Sequence, residues 1–114
     1  MLSKNFKRAE FACKCGCGFD SIDEQIVEVA QDIRDHFDSP AAINSACRCE
    51  AHNKRVGGAK GSKHLEGIAI DIRVKDVTPR EVYDYINGKY PKTFGIGLYK
   101  TFVHVDTRSK RARW

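Results

Sequence analysis

Two short stretches of strict alternation constrain this chain more than anything else in it. In Gly67-Ile68-Ala69-Ile70-Asp71-Ile72-Arg73-Val74 the branched aliphatic residues recur at every second position, the period of a β-strand with one buried face. The intervening positions hold Gly67, Ala69, Asp71 and Arg73. A strand built for stability alone would not set Gly and Ala beside Asp, all of them poor strand residues, so that face is being kept open. Phe102-Val103-His104-Val105-Asp106-Thr107-Arg108 alternates in the same way, with Val103 and Val105 on one side and Phe102, His104, Asp106 and Arg108 on the other. Pairing the two strands brings His104 near Asp71. His64, seven positions before Asp71, arrives from the loop ahead of the first strand. Two imidazoles and one carboxylate, with a fourth position left to water, are the ligand set of a catalytic zinc site, whereas a closed structural site uses four protein ligands. Zn²⁺ held by His64, Asp71 and His104 is therefore the expected cofactor. Any one of these histidines alone would read better as a satisfied core or surface residue; the three together favour a metal.

The rest of the chain supplies a scaffold for such strands. Ser21 and Glu24 have capping-box spacing, and Ile22, Ile26, Val29, Ala30, Ile33 and Phe37 recur at helical spacing, predicting an amphipathic helix over 22–38 that stops at Asp38-Ser39-Pro40. Ala41 to Ser45 is short and strand-like. Cys49 to Val56 suits a helical turn or two closed by Gly57-Gly58, and Gly58 to Lys63 leads flexibly into His64. Thr78-Pro79-Arg80-Glu81 combines a cap, Pro at the first helical position and an acidic third position, opening a helix to about Asn87. Phe94 to Tyr99 alternates large residues with Gly95 and Gly97, then turns at Lys100-Thr101 into the His104 strand as a hairpin. The two glycines fit either strand twist or a cleft beside the metal, with Tyr99 at its edge. The expected class is α+β: a small antiparallel sheet, helices on one face, the zinc cleft on the other.

At 114 residues the chain is expected to form one domain, with residues 1–20 as a cysteine-containing segment and 109–114 as a basic tail. No apolar run reaches a membrane span, and the N-terminal residues lack the apolar core of a secretory signal, so cytoplasmic synthesis is expected. The net charge of +5 is partly concentrated in Arg108, Lys110, Arg111 and Arg113, which reads either as a solvated tail or as attraction to a polyanionic surface. Charge alone would also allow nucleic acid, but no recognition helix, zinc finger or stacking strand accompanies it. Cys13, Cys15 and Cys17 alternate, and Cys47 and Cys49 flank Arg48. An odd count in a cytosolic chain argues against a disulfide framework, and Cys-x-Cys-x-Cys is tighter than the usual zinc knuckle. One disulfide, a second metal site and reduced thiols all stay open; reduced thiols, and hence one zinc per chain, are favoured.

Ser62-x-His64-x-x-Gly67-x-Ala69-x-Asp71, followed by His104 in a short strand, resembles the zinc D-Ala-D-Ala peptidase superfamily, peptidase family M15. That group includes D,D-carboxypeptidases, D,D-dipeptidases, phage L-alanoyl-D-glutamate endolysins and the hedgehog signalling domain. The small single-domain branch common in phages and prophages is the most similar. Its Ser-x-x-Arg, Asn, Gly-Gly and Phe-Val-His-Val-Asp elements read here as Ser45 to Arg48, Asn53, Gly57-Gly58 and Phe102 to Asp106. The matches run in order from about Phe11 to Trp114. Family members often have cysteines near the N-terminus, which suggests that this segment packs by the Cys47-Arg48-Cys49 turn.

The resemblance implies a zinc metallopeptidase cutting peptidoglycan stem peptides, as a D,D-carboxypeptidase or an L-Ala-D-Glu-type endopeptidase, endolysin-like. It would act as a monomer on cell wall after lysis or another export route. The alternative is a catalytically inactive zinc domain for wall binding or phage assembly, as hedgehog illustrates on this scaffold. Arg48 is the candidate for holding the oxyanion or the substrate's terminal carboxylate, against a plain salt bridge that pins its loop. Ser62 would orient the loop or a ligand through its hydroxyl, and Ser45, Gly97 and Tyr99 would support or line the cleft. Several branches of the superfamily place a carboxylate three residues before the last histidine, where this chain has Thr101. Asp106 is then the expected base, or else a hydrogen-bond partner of a ligand; Glu66 is the second candidate.

Overall fold

In the computed structural model, which describes Leu2 to Trp114, the two alternating segments are neighbouring central strands. β1 (Ala41–Ser45), β2 (Ala69–Val74), β3 (Gly95–Leu98), β4 (Val103–Asp106) and β5 (Ala112–Arg113) form one sheet in the order β1-β2-β4-β3-β5. Cross-strand partners share a face, so the register sorts the side chains into rows. Ile70, Val105 and Ile96 make one row, and Ile72 and Val103 with Ile43 another; all six are buried. On the opposite face Ser45, Asp71, His104 and Gly97 lie in one row, and Ala69, Asp106 and Gly95 in the next. A one-residue slip would send every isoleucine to the wrong side, and each fully buried one is worth about 1.5–3 kcal/mol. The hydrophobic pattern thereby fixes which residues meet across the site.

α1 (Glu24–Phe37), α2 (Glu50–Arg55) and α3 (Pro79–Lys89) complete the α+β architecture. α1 buries Ile26, Val27, Val29, Ala30 and Ile33 in the same core as the apolar rows, and α3 adds Val82 and Ile86. α3 opens as its sequence predicts, with Thr78 Oγ1 accepting from the Glu81 N–H and the Glu81 carboxylate accepting in return from the Thr78 N–H. α1 begins later than the Ser21 box predicts. Its cap is Asp23, because residues 20–23 are used for docking: the Asp23 N–H bonds the Gly67 carbonyl at 2.9 Å, and the Ser21 carbonyl lies where a Gly67 side chain would be. Gly67 itself turns at φ 70°, a left-handed conformation suited to glycine, and delivers the chain into β2.

The sheet is mixed rather than purely antiparallel, because β5 runs parallel to β3. Residues near the C-terminus are therefore built into the fold and do not form a solvated tail. The Arg113 guanidinium donates to the carbonyls of Tyr90, Thr93 and Phe94 and to Asn87 Oδ1, which ties the loop after α3 to the sheet edge. No helix among the described residues is long and apolar enough to cross a membrane.

Candidate metal centre

β2 presents Asp71 and β4 presents His104 directly opposite it. His64 comes from a short 3-10 turn, Lys63–Glu66, whose first N–H groups are met by Ser62: its Oγ accepts from the His64 N–H at 3.3 Å. The three side chains are almost fully buried, and their ligand atoms lie within 4.8 Å of one another. His64 Nε2 stands 3.2 Å and His104 Nδ1 3.0 Å from the same Asp71 Oδ1.

The outer nitrogens reveal what the inner ones are for. His64 Nδ1 donates to the Ala46 carbonyl at 2.7 Å, and His104 Nε2 donates to Asp106 Oδ2 at 2.8 Å. A neutral imidazole has one donor and one acceptor, so these partners leave a lone pair on each inner nitrogen, aimed at an oxygen that is itself an acceptor. Such a cluster needs a cation in its midst. Protons on the rings or a divalent ion can fill that need, and two imidazoles with one carboxylate suit zinc with one position open. The ionisation directions agree. With protons on the rings, burial raises Asp71, but hydrogen bonds from His104 and His64 outweigh it and hold the carboxyl down at about 2. Burial works against a charged His104, yet Asp106 and Asp71 together raise its pKa.

Asp106 does not face the open side. It is fully buried, and besides His104 it accepts from Arg108 Nε on Oδ1 and from Arg108 Nη2 on Oδ2, both at 2.7 Å. These bonds, more than offsetting burial, keep it strongly acidic. Of the two expectations for Asp106, this geometry suits the hydrogen-bond partner that holds the His104 ring from behind better than a base facing the groove. Glu66 is also off the site, exposed and paired with Lys63 at 3.1 Å. Thr101 lies in the exposed turn before β4.

Arg48 is buried, with its Nη1 donating to Asn53 Oδ1 at 2.9 Å, its Nη2 to Ser45 Oγ at 3.0 Å, and Nη2 also 3.7 Å from Asp71 Oδ2. Gly58 passes close by, and a side chain there would press on Asn53 and Arg48. The Ser-x-x-Arg, Asn and Gly-Gly elements of the sequence are thus one unit that presents the guanidinium beside the Asp71 carboxylate.

Above His64, Asp71 and His104 lies a groove of about 640 Å³, walled by Arg48, residues 56–64 in part, Tyr99, Phe102, Arg108 and Trp114. Trp114 was not anticipated. It reaches the site because β5 carries the chain end back over β3, with its ring 5.2 Å from that of His104 and its Nε1 donating to Tyr99 Oη at 2.9 Å. Nothing near it in sequence signals this. The two glycines of β3 are explained by what occupies their space: a side chain at Gly97 would strike the indole, and one at Gly95 would meet Asp106 and Arg108. Gly97→Val should therefore displace Trp114. Since it is the only tryptophan, its emission spectrum should shift while far-ultraviolet circular dichroism stays unchanged. Unaltered fluorescence would place the indole elsewhere.

Residues 4–106 match the profile of the Peptidase M15 family. The chain belongs to that family. Its members are generally zinc-dependent, the His64–Asp71–His104 cluster is a group that could hold such a metal, and a peptide is the implied substrate. No curated protein matches the chain.

Proposed function

We propose that this member of the family is a zinc-dependent peptidase hydrolysing peptide bonds in peptidoglycan stem peptides, as a D,D-carboxypeptidase or an L-Ala-D-Glu-type endopeptidase. The observation that carries the reading is the convergence of His64 Nε2, His104 Nδ1 and Asp71 Oδ1 on the floor of a groove whose other charged lining is Arg48, Lys63 and Arg108. A cationic wall suits stem peptides, which carry free carboxylates. His64, Asp71 and His104 would hold the zinc. When bound, the ion lowers the pKa of a water towards ~7 and polarises the scissile carbonyl.

The chain's own residues do the rest. The Ala46 carbonyl and Asp106 lock the two rings in the tautomers that expose the ligand lone pairs. Arg48 steadies the second oxygen of Asp71 and, from the groove wall, meets the oxyanion or the terminal carboxylate of the substrate. Trp114 and Tyr99, bonded to each other, flank the peptide and limit access of water. In a phage or prophage setting the enzyme would reach the wall after lysis or by another export route.

One observation favours a second reading, a zinc domain that binds wall or serves phage assembly without cutting. Among the described residues, Asp71 is the only carboxylate lining the groove, so the proton acceptor expected of a hydrolase is not in place. A panel of muropeptides decides between them. Cleavage should vanish with a chelator and return with added zinc. Cleavage by metal-free protein would overturn the first reading, and wall binding without hydrolysis across the panel would establish the second.

A further inference from the structure

The two cysteine-bearing segments of the sequence meet in space. Cys13 Sγ lies 3.4 Å from Cys15 Sγ and 3.9 Å from Cys49 Sγ, and Cys15 and Cys49 are 3.6 Å apart. Cys17 joins them, all four sulfurs lying within 4.8 Å of one another. All five cysteines of the chain are free thiols, and the buried Cys47 stands outside the group. Four thiolates about 2.3 Å from a tetrahedral zinc are separated by about 3.8 Å, the spacing seen among three of these sulfurs.

Ordinary packing does not account for the convergence. Cys17 is exposed and Cys15 and Cys49 are only half-buried, so no apolar core gathers them. The loop is instead shaped to turn three sulfurs inward. Gly16 and Gly18 take φ values of 81° and 91°, and the Cys13 N–H closes the loop onto the Phe19 carbonyl at 2.8 Å. Backbone donors also address the sulfurs: the Cys49 N–H is 3.5 Å from Cys13 Sγ, and the His52 N–H is 3.4 Å from Cys49 Sγ. The fourth ligand comes from 32 residues beyond Cys17, which is why the tight Cys-x-Cys-x-Cys spacing did not read as a zinc motif.

We propose that Cys13, Cys15, Cys17 and Cys49 form a second, structural zinc site that clamps the N-terminal segment to the loop carrying Arg48. On binding, four S–H bonds are exchanged for four S–Zn bonds. The protons pass to buffer, the ion sheds its waters and no electron moves. With no position left for water, the ion has no hydrolytic role. Its leverage is positional. Cys49 follows Arg48, the Cys47 N–H bonds the Phe11 carbonyl at 2.9 Å, and the Arg48 N–H bonds the His64 carbonyl at 3.0 Å. A clamp here steadies both the groove guanidinium and the first histidine. The chain should then hold two zincs, where the sequence alone favoured one.

Zinc content of the intact purified protein tests this independently of any peptidase activity. Wild type should carry two equivalents. Cys15→Ser/Cys17→Ser should carry one, and His104→Ala should carry one through loss of the other ion. Cobalt-substituted wild type and His104→Ala should both show intense thiolate-to-cobalt charge transfer in the near ultraviolet, absent from the cysteine variant. Should that variant fold poorly, wild type alone suffices: exposed Cys17 should resist a thiol reagent until a chelator is added. One zinc in wild type with Cys17 reacting at once would overturn the proposal. So would two zincs that survive the cysteine substitutions, or a thiol count after denaturation that reveals a disulfide.

Discussion

On the proposed function, His104→Ala is expected to strip the groove of zinc and bring muropeptide hydrolysis down to background. The substitution removes one of three candidate ligand atoms from a cluster that offers no replacement, since Asp106 and Glu66 both point elsewhere. Metal activation of water and carbonyl is worth several kcal/mol, and each ~1.36 kcal/mol is tenfold, so turnover should fall by about 10³-fold or more. The fold should survive, because Asp106 keeps its paired contacts to Arg108 and the apolar rows on the other face are untouched. Steady-state rates on a cleaved muropeptide, with thermal unfolding as the control, provide the check. A well-folded variant within tenfold of wild-type turnover would mean that His104 is not a ligand.

Asp106→Asn has the second-largest expected effect, and the structure changes what the effect should be. A base facing the groove would lose turnover by about 10²-fold on amidation and keep its zinc. Asp106 is instead buried behind His104, receiving one N–H from the ring and two from the Arg108 side chain. An amide cannot accept from both: its NH₂ must confront the guanidinium or the imidazole. The ring loses its anchor, and metal affinity should weaken about 10–100-fold, the usual cost of removing such a partner. Excess zinc should then restore much of the turnover. Competition with a chromophoric chelator measures the affinity. Unchanged affinity with turnover down by two orders of magnitude would return the base to Asp106.

The contrast between these two residues shows how far the sequence could be read. The cluster was legible because strand period and residue type coincide: Asp71 and His104 sit on the open faces of strands whose other faces are unmistakably apolar. Asp106 shares that face with His104, so alternation alone made it look available. Its availability depended on Arg108, two residues on, folding back onto it where Gly95 leaves the room. Ser45, Arg48, Asn53 and Gly58 were all noted, but only their hydrogen bonds show that they act as one support for Asp71.

By itself the sequence determined the α+β class, β1, the capping of α3, the hairpin and the convergence of His64, Asp71 and His104, because each is encoded in local periodicity, capping chemistry or turn residues. Tertiary structure alone decided the rest. Whether α1 starts at Ser21 or Asp23 rested on a carbonyl of Gly67, more than forty residues away. The basic chain end became a parallel edge strand because Arg113 found a ring of carbonyls, and this carried Trp114 over the site. The alternating cysteines acquired a fourth companion only when Cys49 folded beside them. Each of these outcomes is a contact between distant segments, set by which backbone and side-chain groups remain unpaired once the core has closed, and no local pattern records that.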